Sequence, residues 1–345
     1  MVDPRVKIIP IFFLIFLGRH LCESQVPLPS QLLSKDLSSI DYSFTSNDFM
    51  VFTQQRSCST LLVDLMNKKL KISAQDEPFN LGRKYSYIYQ LKQLFPTVSD
   101  VIDQPAELAK ALKLIYKYGY WSSSGDFLER DPSTLFGFKV MATHIGDQSL
   151  AELLTHFQLA TGINKLKLIH LVRGNNILGA LSNMEARKQL KWTYSKTDAL
   201  SNTSVLNWSD ESTLRKLVEG AMSRCLRHQF YEQDLKVAQQ RGLIELLSIR
   251  SEDLIEEQDC TLDRISHFLT GHPLPPDQLE QSHIIRGRSS VDLHVRIPRL
   301  SEIAREMERL LPLVRPSLPR PLVNPDSLRI CQVKVQIEIL QLDKT

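Results

Sequence analysis

Arg56 stands in a short polar loop, QQRSCST, which spans residues 54 to 60 between two apolar stretches. Its guanidinium is a planar fork of N–H donors, and the hydroxyls of Ser57, Ser59 and Thr60 add further donors. Phe49 to Thr53 reads as a hydrophobic strand. Thr60 to Leu70 reads as a helix with Leu61, Leu62, Leu65 and Met66 on one face. The first N–H groups of such a helix have no intrahelical partner, and its dipole aims its positive end at the loop. A strand-to-helix junction with these side chains binds a phosphate-like anion. A nucleoside triphosphatase loop has the form G-x-x-x-x-G-K-[ST]. Between Gln54 and Thr60 there is neither lysine nor glycine, which argues against an ordinary ATP or GTP site.

A second junction follows at residues 166 to 192. Leu168 to Val172 reads as a buried strand, Gly174-Asn175-Asn176 as a turn, and Ile177 onward as a helix. Arg173 ends the strand, and Ser182 lies nine residues further on. Each of these side chains also has a plain structural reading. Arg56 could be a solvated loop arginine, Arg173 a surface ion pair, and Ser182 a helix-surface serine. Ser57, Ser59 and Thr60 could simply cap their helix.

The elements that would position these residues alternate along the chain. Phe136 to Met141 (FGFKVM) reads as a strand, and 104–117 and Leu150 to Leu159 as helices. Ser212 to Gln239 reads as one long helix, Leu243 to Arg250 as an apolar run and Thr261 to Leu269 as a helix. Such alternation predicts a parallel sheet covered by helices on both faces. Leu310 to Pro325 is proline-rich and cannot continue a helix. Beyond it, Val333, Val335, Ile337 and Ile339 alternate with Gln332, Lys334, Gln336 and Glu338, which predicts a half-buried strand over Ile330 to Leu340. This strand would be either a sheet edge or an appendage to the core.

The length of 345 residues suits one large α/β domain or two small ones. A net charge of +3 gives no general basic field for nucleic acid, so any anion site must be local. Residues 1–24 carry Arg5 and Lys7 before an apolar run from Ile8 to Gly18. That run is shorter than the ~20 apolar residues of a spanning helix. It fits a cleaved signal peptide or an uncleaved, Golgi-type signal anchor, with 25–48 as an entry linker. Two sequons, at Asn202 and Asn207, lie in a polar stretch and agree with a secretory route. The five cysteines, Cys22, Cys58, Cys225, Cys260 and Cys331, show no metal spacing, and their pairing cannot be deduced. No His/Cys/Asp cluster has metal-ligand spacing.

The loop QQRSCST resembles the phosphosulfate-binding loop of sulfotransferases, whose common form is R-S-G-[ST]-[ST]. IHLVRGNNILGALS is similar to their second nucleotide motif. There an arginine and a following helical serine hold the 3′-phosphate, and Arg173 and Ser182 match the nine-residue separation of the bacterial carbohydrate type (trehalose and lipo-oligosaccharide sulfotransferases). FGFKVM also resembles that group. Residues 249–271 resemble the family's Y-E-D-L strand and following helix, with Ser251 in place of tyrosine. The resemblance covers about residues 49–310 and leaves 311–345 as a proline-rich linker and tail.

The resemblance implies a three-layer α/β, P-loop-like sulfotransferase fold with a central parallel sheet flanked by helices. It implies 3′-phosphoadenosine 5′-phosphosulfate as co-substrate, no metal, and a carbohydrate or glycoconjugate acceptor. Two anion sites on two strand-to-helix junctions suit a nucleotide with phosphates at both ends of its ribose. The implied site comprises Arg56, Ser57, Cys58, Ser59, Thr60, Arg173 and Ser182, with Arg286 and Arg288 of IIRGRSS reaching the 3′-phosphate from a late loop. Arg56 would stabilise the leaving oxygen. Glu77, in QDEPFN, resembles the E-P segment after the loop in carbohydrate sulfotransferases and is the first choice of general base. His144 and Lys139 are the other choices, and Glu252 and Asp253 have a structural reading. Cys58 departs from the family's glycine. A helix N-terminus can activate a thiol, but sulfuryl transfer needs no covalent intermediate. A non-catalytic binding protein on a decayed transferase, or an atypical kinase, are the competing readings.

Overall fold

Apolar runs without alternation belong to strands buried on both faces, and the first strand has that character. In the computed structural model, which describes residues 48–75, 119–121, 127–129, 134–145, 149–189, 206–275, 297, 299–316, 318 and 324–342, every residue of β1 (Phe49–Thr53) is buried. It leads into α1 (Ser59–Lys69) and the short β2 (Ser73–Gln75). β3 (Gly119–Trp121) and β4 (Phe127–Glu129) form a separate antiparallel pair. β5 (Phe136–Met141), α2 (Ala142–Ile145), α3 (Leu150–Thr161), β6 (Leu166–Val172) and α4 (Asn176–Gln189) follow. The chain continues through α5 (Glu211–Gln240), β7 (Ile244–Arg250), α6 (Ser251–Glu256), α7 (Gln258–Thr270), α8 (Leu300–Leu310) and α9 (Pro325–Leu342).

The five main strands form one parallel sheet in the order β2-β5-β1-β6-β7. Phe49 and Val51, with Ile169 and Leu171 of β6 and Ile249 of β7, pack under α1, α6 and α7. On the opposite face Phe52 meets Tyr231 of α5 edge-on, ring centroids 5.1 Å apart, and α3 packs against α5. The result is three layers, helix on sheet on helix, as the alternation of elements predicts. β1 sits where connections diverge: the chain leaves it toward β2 and leaves β6 toward β7. At such a switch point the loops beyond the carboxyl ends of neighbouring strands part and leave a crevice. Thr53 ties the two strands there by donating to the Leu171 carbonyl (2.8 Å).

The C-terminal segment corrects the expectation of a strand. Residues 325–342 form a helix, which buries Cys331, Val335, Glu338, Ile339 and Leu342 at spacings of three and four. Its apolar residues occupy two helical stripes, and over Val333–Ile339 the two together mimic a period of two. Pro325 opens the helix, where its missing N–H costs nothing, and Asn324 Oδ1 accepts from Ser327 N (2.7 Å) as a cap. Nor is this segment an appendage: α9 shares an apolar cluster with α4, α5 and α8, and Cys331 is disulfide-bonded to Cys225 of α5. Residues 1–24 and the helix expected over 104–117 lie outside the described residues, as does Asn202. Asn207 is described and exposed. Among the described residues no helix is long and apolar enough to cross a membrane.

Candidate functional site

The loop between β1 and α1 takes two left-handed turns without a glycine. Arg56 has φ 62° and Cys58 has φ 58°. A side chain in this region costs on the order of 1 kcal/mol, and such strain persists only where the surroundings hold it. They hold it here from three sides. Arg173 Nη1 donates to the Arg56 carbonyl (3.0 Å), and Arg224 Nη1, from the middle of α5, donates to the Gln55 carbonyl (2.7 Å). Gln54 Nε2 returns a bond to the Arg224 carbonyl (3.2 Å), and Gln55 Nε2 reaches Thr143 Oγ1 of α2 (3.5 Å).

The two sequence motifs meet at Arg56. Its Nε donates to Ser182 Oγ on the second turn of α4 (3.0 Å). Arg56, Arg173 and Ser182 therefore converge at the crevice between β1 and β6, 126 residues of chain separating the two ends of that bond. Ser57 Oγ is buried beside them without a hydrogen-bond partner. Buried hydroxyls are almost always paired, which makes this one an exception among the residues of the loop. Ser59 is buried at the start of α1 and Thr60 is exposed. Cys58 occupies the N-cap position of α1 and makes no side-chain cap.

The N-terminus of α4 is arranged differently from that of α1. Glu252 of α6 accepts from Gly174 N (3.0 and 3.1 Å) and Asn175 N (3.4 Å). Glu338 of α9 accepts from Asn176 N (2.8 Å), Asn176 Nδ2 (2.8 Å) and Ile177 N (3.1 Å). Protein carboxylates thus serve the turn that the sequence reads as a second anion junction. Arg173 and Ser182 contribute through their side chains, at the first. Burial alone would raise the Glu252 carboxyl, but the bonds from the turn and the nearby Arg173 outweigh it and hold it low. Burial pushes the Glu338 carboxyl up against its hydrogen bonds.

The electrostatics decide the chemistry of Cys58. Burial pushes its thiol up, against the pull of Arg173 and Arg56, which is the reverse of the shift that activates a thiol at a helix N-terminus. Arg224 is drawn down to about 9 by burial and by Arg173 and Arg56, with Glu338 opposing; it remains charged at neutral pH. Arg224 and Glu338 are the site residues that sequence reasoning missed. Neither lies in a recognisable spacing to the loop. Arg224 is a mid-helix arginine, and Glu338 sits in the segment read as a strand.

His144 is buried in α2, and its Nδ1 accepts from Met141 N (3.2 Å), a local bond that fixes the ring. Lys139 is fully buried within β5. Glu77, Arg286 and Arg288 lie outside the described residues.

No family model and no curated protein matches this chain. Among solved structures, the sulfotransferase domain from the curacin biosynthetic pathway aligns at 15% identity over 83% of this chain and 96% of its own, with a TM-score of 0.36. The sulfotransferase domain from the Synechococcus PCC 7002 olefin synthase aligns at 15% identity over 86% and 94%, with a TM-score of 0.34.

Proposed function

We propose that this chain is a sulfotransferase of the secretory pathway, transferring a sulfuryl group from 3′-phosphoadenosine 5′-phosphosulfate to a carbohydrate hydroxyl. One observation carries the reading: Arg56, Arg173 and Ser182, far apart in sequence, converge beside the buried, unpartnered Ser57 hydroxyl at the head of α1. This donor set fits a doubly anionic nucleotide. It is rich in guanidinium, has hydroxyls and helix N–H groups, and has no triphosphate-binding lysine in its loop.

When bound, the donor supplies an activated sulfuryl group: the acceptor oxygen bonds to sulfur as the bridging S–O bond breaks, and that electron pair stays on the nucleotide phosphate. Arg56 and the first N–H groups of α1 stabilise the charge growing on the bridging oxygen. Arg173 and Ser182 hold the 3′-phosphate, assisted by Arg286 and Arg288. Glu77 takes the acceptor proton, since His144 Nδ1 is engaged by the backbone. The sugar acceptor rests on the resemblance of FGFKVM and of the Arg173–Ser182 spacing to the carbohydrate group. The Cys225–Cys331 disulfide and the exposed Asn207 sequon support a luminal location, with residues 1–24 as signal or single membrane anchor.

A second reading has one observation in its favour. Cys58 adopts the left-handed conformation that glycine takes without cost, a strain that would impair the fit of the loop to the donor. In that case the chain binds nucleotide or glycan without catalysis. Transfer of labelled sulfate from the donor to a panel of glycans separates the two. Label on a glycan, lost with Arg56→Ala, supports the enzyme; nucleotide binding without transfer to any acceptor supports the binding protein.

A further inference from the structure

Arg224 is not in either motif, yet it touches both. Its Nη1 donates to the Gln55 carbonyl, and its own carbonyl receives Gln54 Nε2, so one residue of α5 grips two consecutive loop residues through side chain and backbone. The next residue, Cys225, is disulfide-bonded to α9, which fixes α5 at this point. On the other side the guanidinium lies against Gly179 of α4, one turn before Ser182. A Cβ at Gly179 would sit 2.3 Å from Arg224 Nε and 2.6 Å from Cζ. Glycine is a poor residue for a helix interior, and here its missing side chain is the space the guanidinium fills. Arg224 Nε is shielded from solvent and has no acceptor.

We propose that Arg224 is a positioning residue of the anion site: wedged between the 54–58 loop and Gly179, it holds the loop in its left-handed, anion-binding shape and adds a third guanidinium behind it. A third positive charge gathered beside Arg56 and Arg173 is repelled by both, and a multiply charged anion would relieve that repulsion. The inference rests on the reading of this loop as the donor site.

Two variants and two readouts test it. Arg224→Met removes the grip and the charge. Gly179→Ala keeps the charge and improves helix propensity, but displaces the guanidinium from its seat. The first readout is calorimetric affinity for adenosine 3′,5′-bisphosphate. The second is the alkylation rate of Cys58, followed on its own peptide, which reports loop shape without any ligand. Both variants are expected to weaken nucleotide binding at least about tenfold, a change of about 1.4 kcal/mol. Both are expected to speed Cys58 alkylation, and Arg224→Lys should restore binding only in part, because an ammonium lacks the planar fork. In turnover, the donor KM should rise while the acceptor KM stays put. Gly179→Ala with wild-type affinity and wild-type Cys58 protection would overturn the proposal, even if Arg224→Met failed to fold. If the wild type binds no nucleotide but both variants unmask Cys58, the positioning role stands and the donor reading falls.

Discussion

Arg56 joins the two halves of the site, with its carbonyl held by Arg173 and its Nε bonded to Ser182. Removing this side chain takes away a charged donor and leaves the strand and helix around it intact. Arg56→Ala should weaken adenosine 3′,5′-bisphosphate binding by about 2 kcal/mol, the size of a charged hydrogen bond, and lower turnover at least about 100-fold, as for loss of one transition-state donor. Near-normal turnover in a folded variant would remove Arg56 from the mechanism. Two residues further on, Cys58→Gly relieves a left-handed side chain. Its melting temperature should rise, with a gain of up to about 1 kcal/mol, and nucleotide affinity should hold or improve. A fall in both would mean that the Cys58 side chain supports the loop through packing. Arg56 and Ser57 stand out in the sequence because a strand-to-helix junction has a fixed chemistry, and Arg173 and Ser182 only through their resemblance to a sulfotransferase motif. Their convergence does not stand out, because a hydrogen bond across 126 positions leaves no local pattern.

At the scale of elements, the carboxylates at the head of α4 matter most. Glu338 reaches from α9 to satisfy two backbone N–H groups and the Asn176 amide, all buried. Glu338→Ala leaves those donors unpaired and should destabilise the fold by about 2 kcal/mol, read as a lower denaturation midpoint with unchanged m-value. A variant as stable as the wild type would show that water or Asn175 replaces the carboxylate. β1, β5 and β6, with α1, α3, α4 and α5, emerge from the sequence close to their observed bounds, whereas β2, β3 and β4, three residues each, are too short to show a pattern. α9 does not emerge either. Ile330, Val333, Ile337 and Leu340 are exposed, whereas Val335 and Ile339 are buried, and only the three-dimensional environment distinguishes the two stripes. The Asn324-Pro325 start was the signal available to correct it.

Across the whole molecule, the switch point between β1 and β6 explains why a loop at residue 56 and a turn at residue 173 build one crevice. The same strands create an acid sensitivity. His170 of β6 is buried and faces His228 of α5, with ring centroids 5.8 Å apart. Burial, then His228, lower His170 from 6.5 to about 3, against the opposing charge of Glu232, and burial lowers His228 too. The unfolded chain takes up these protons near pH 6.5, whereas folded His170 resists until about 3. Stability is therefore complete above that window and falls as pH drops through it. His170→Phe should flatten the acid limb of a denaturation-midpoint series; an unchanged slope would assign the acid loss to other groups.

On the proposed function, the loop at Arg56 holds a nucleotide with phosphates at both ends of its ribose. Calorimetric titration of the wild-type protein with adenosine 3′,5′-bisphosphate and, separately, with ATP tests it most directly. The bisphosphate is expected to bind at least about tenfold more tightly, a difference of about 1.4 kcal/mol. Tight binding of ATP with no response to the bisphosphate would contradict the claim.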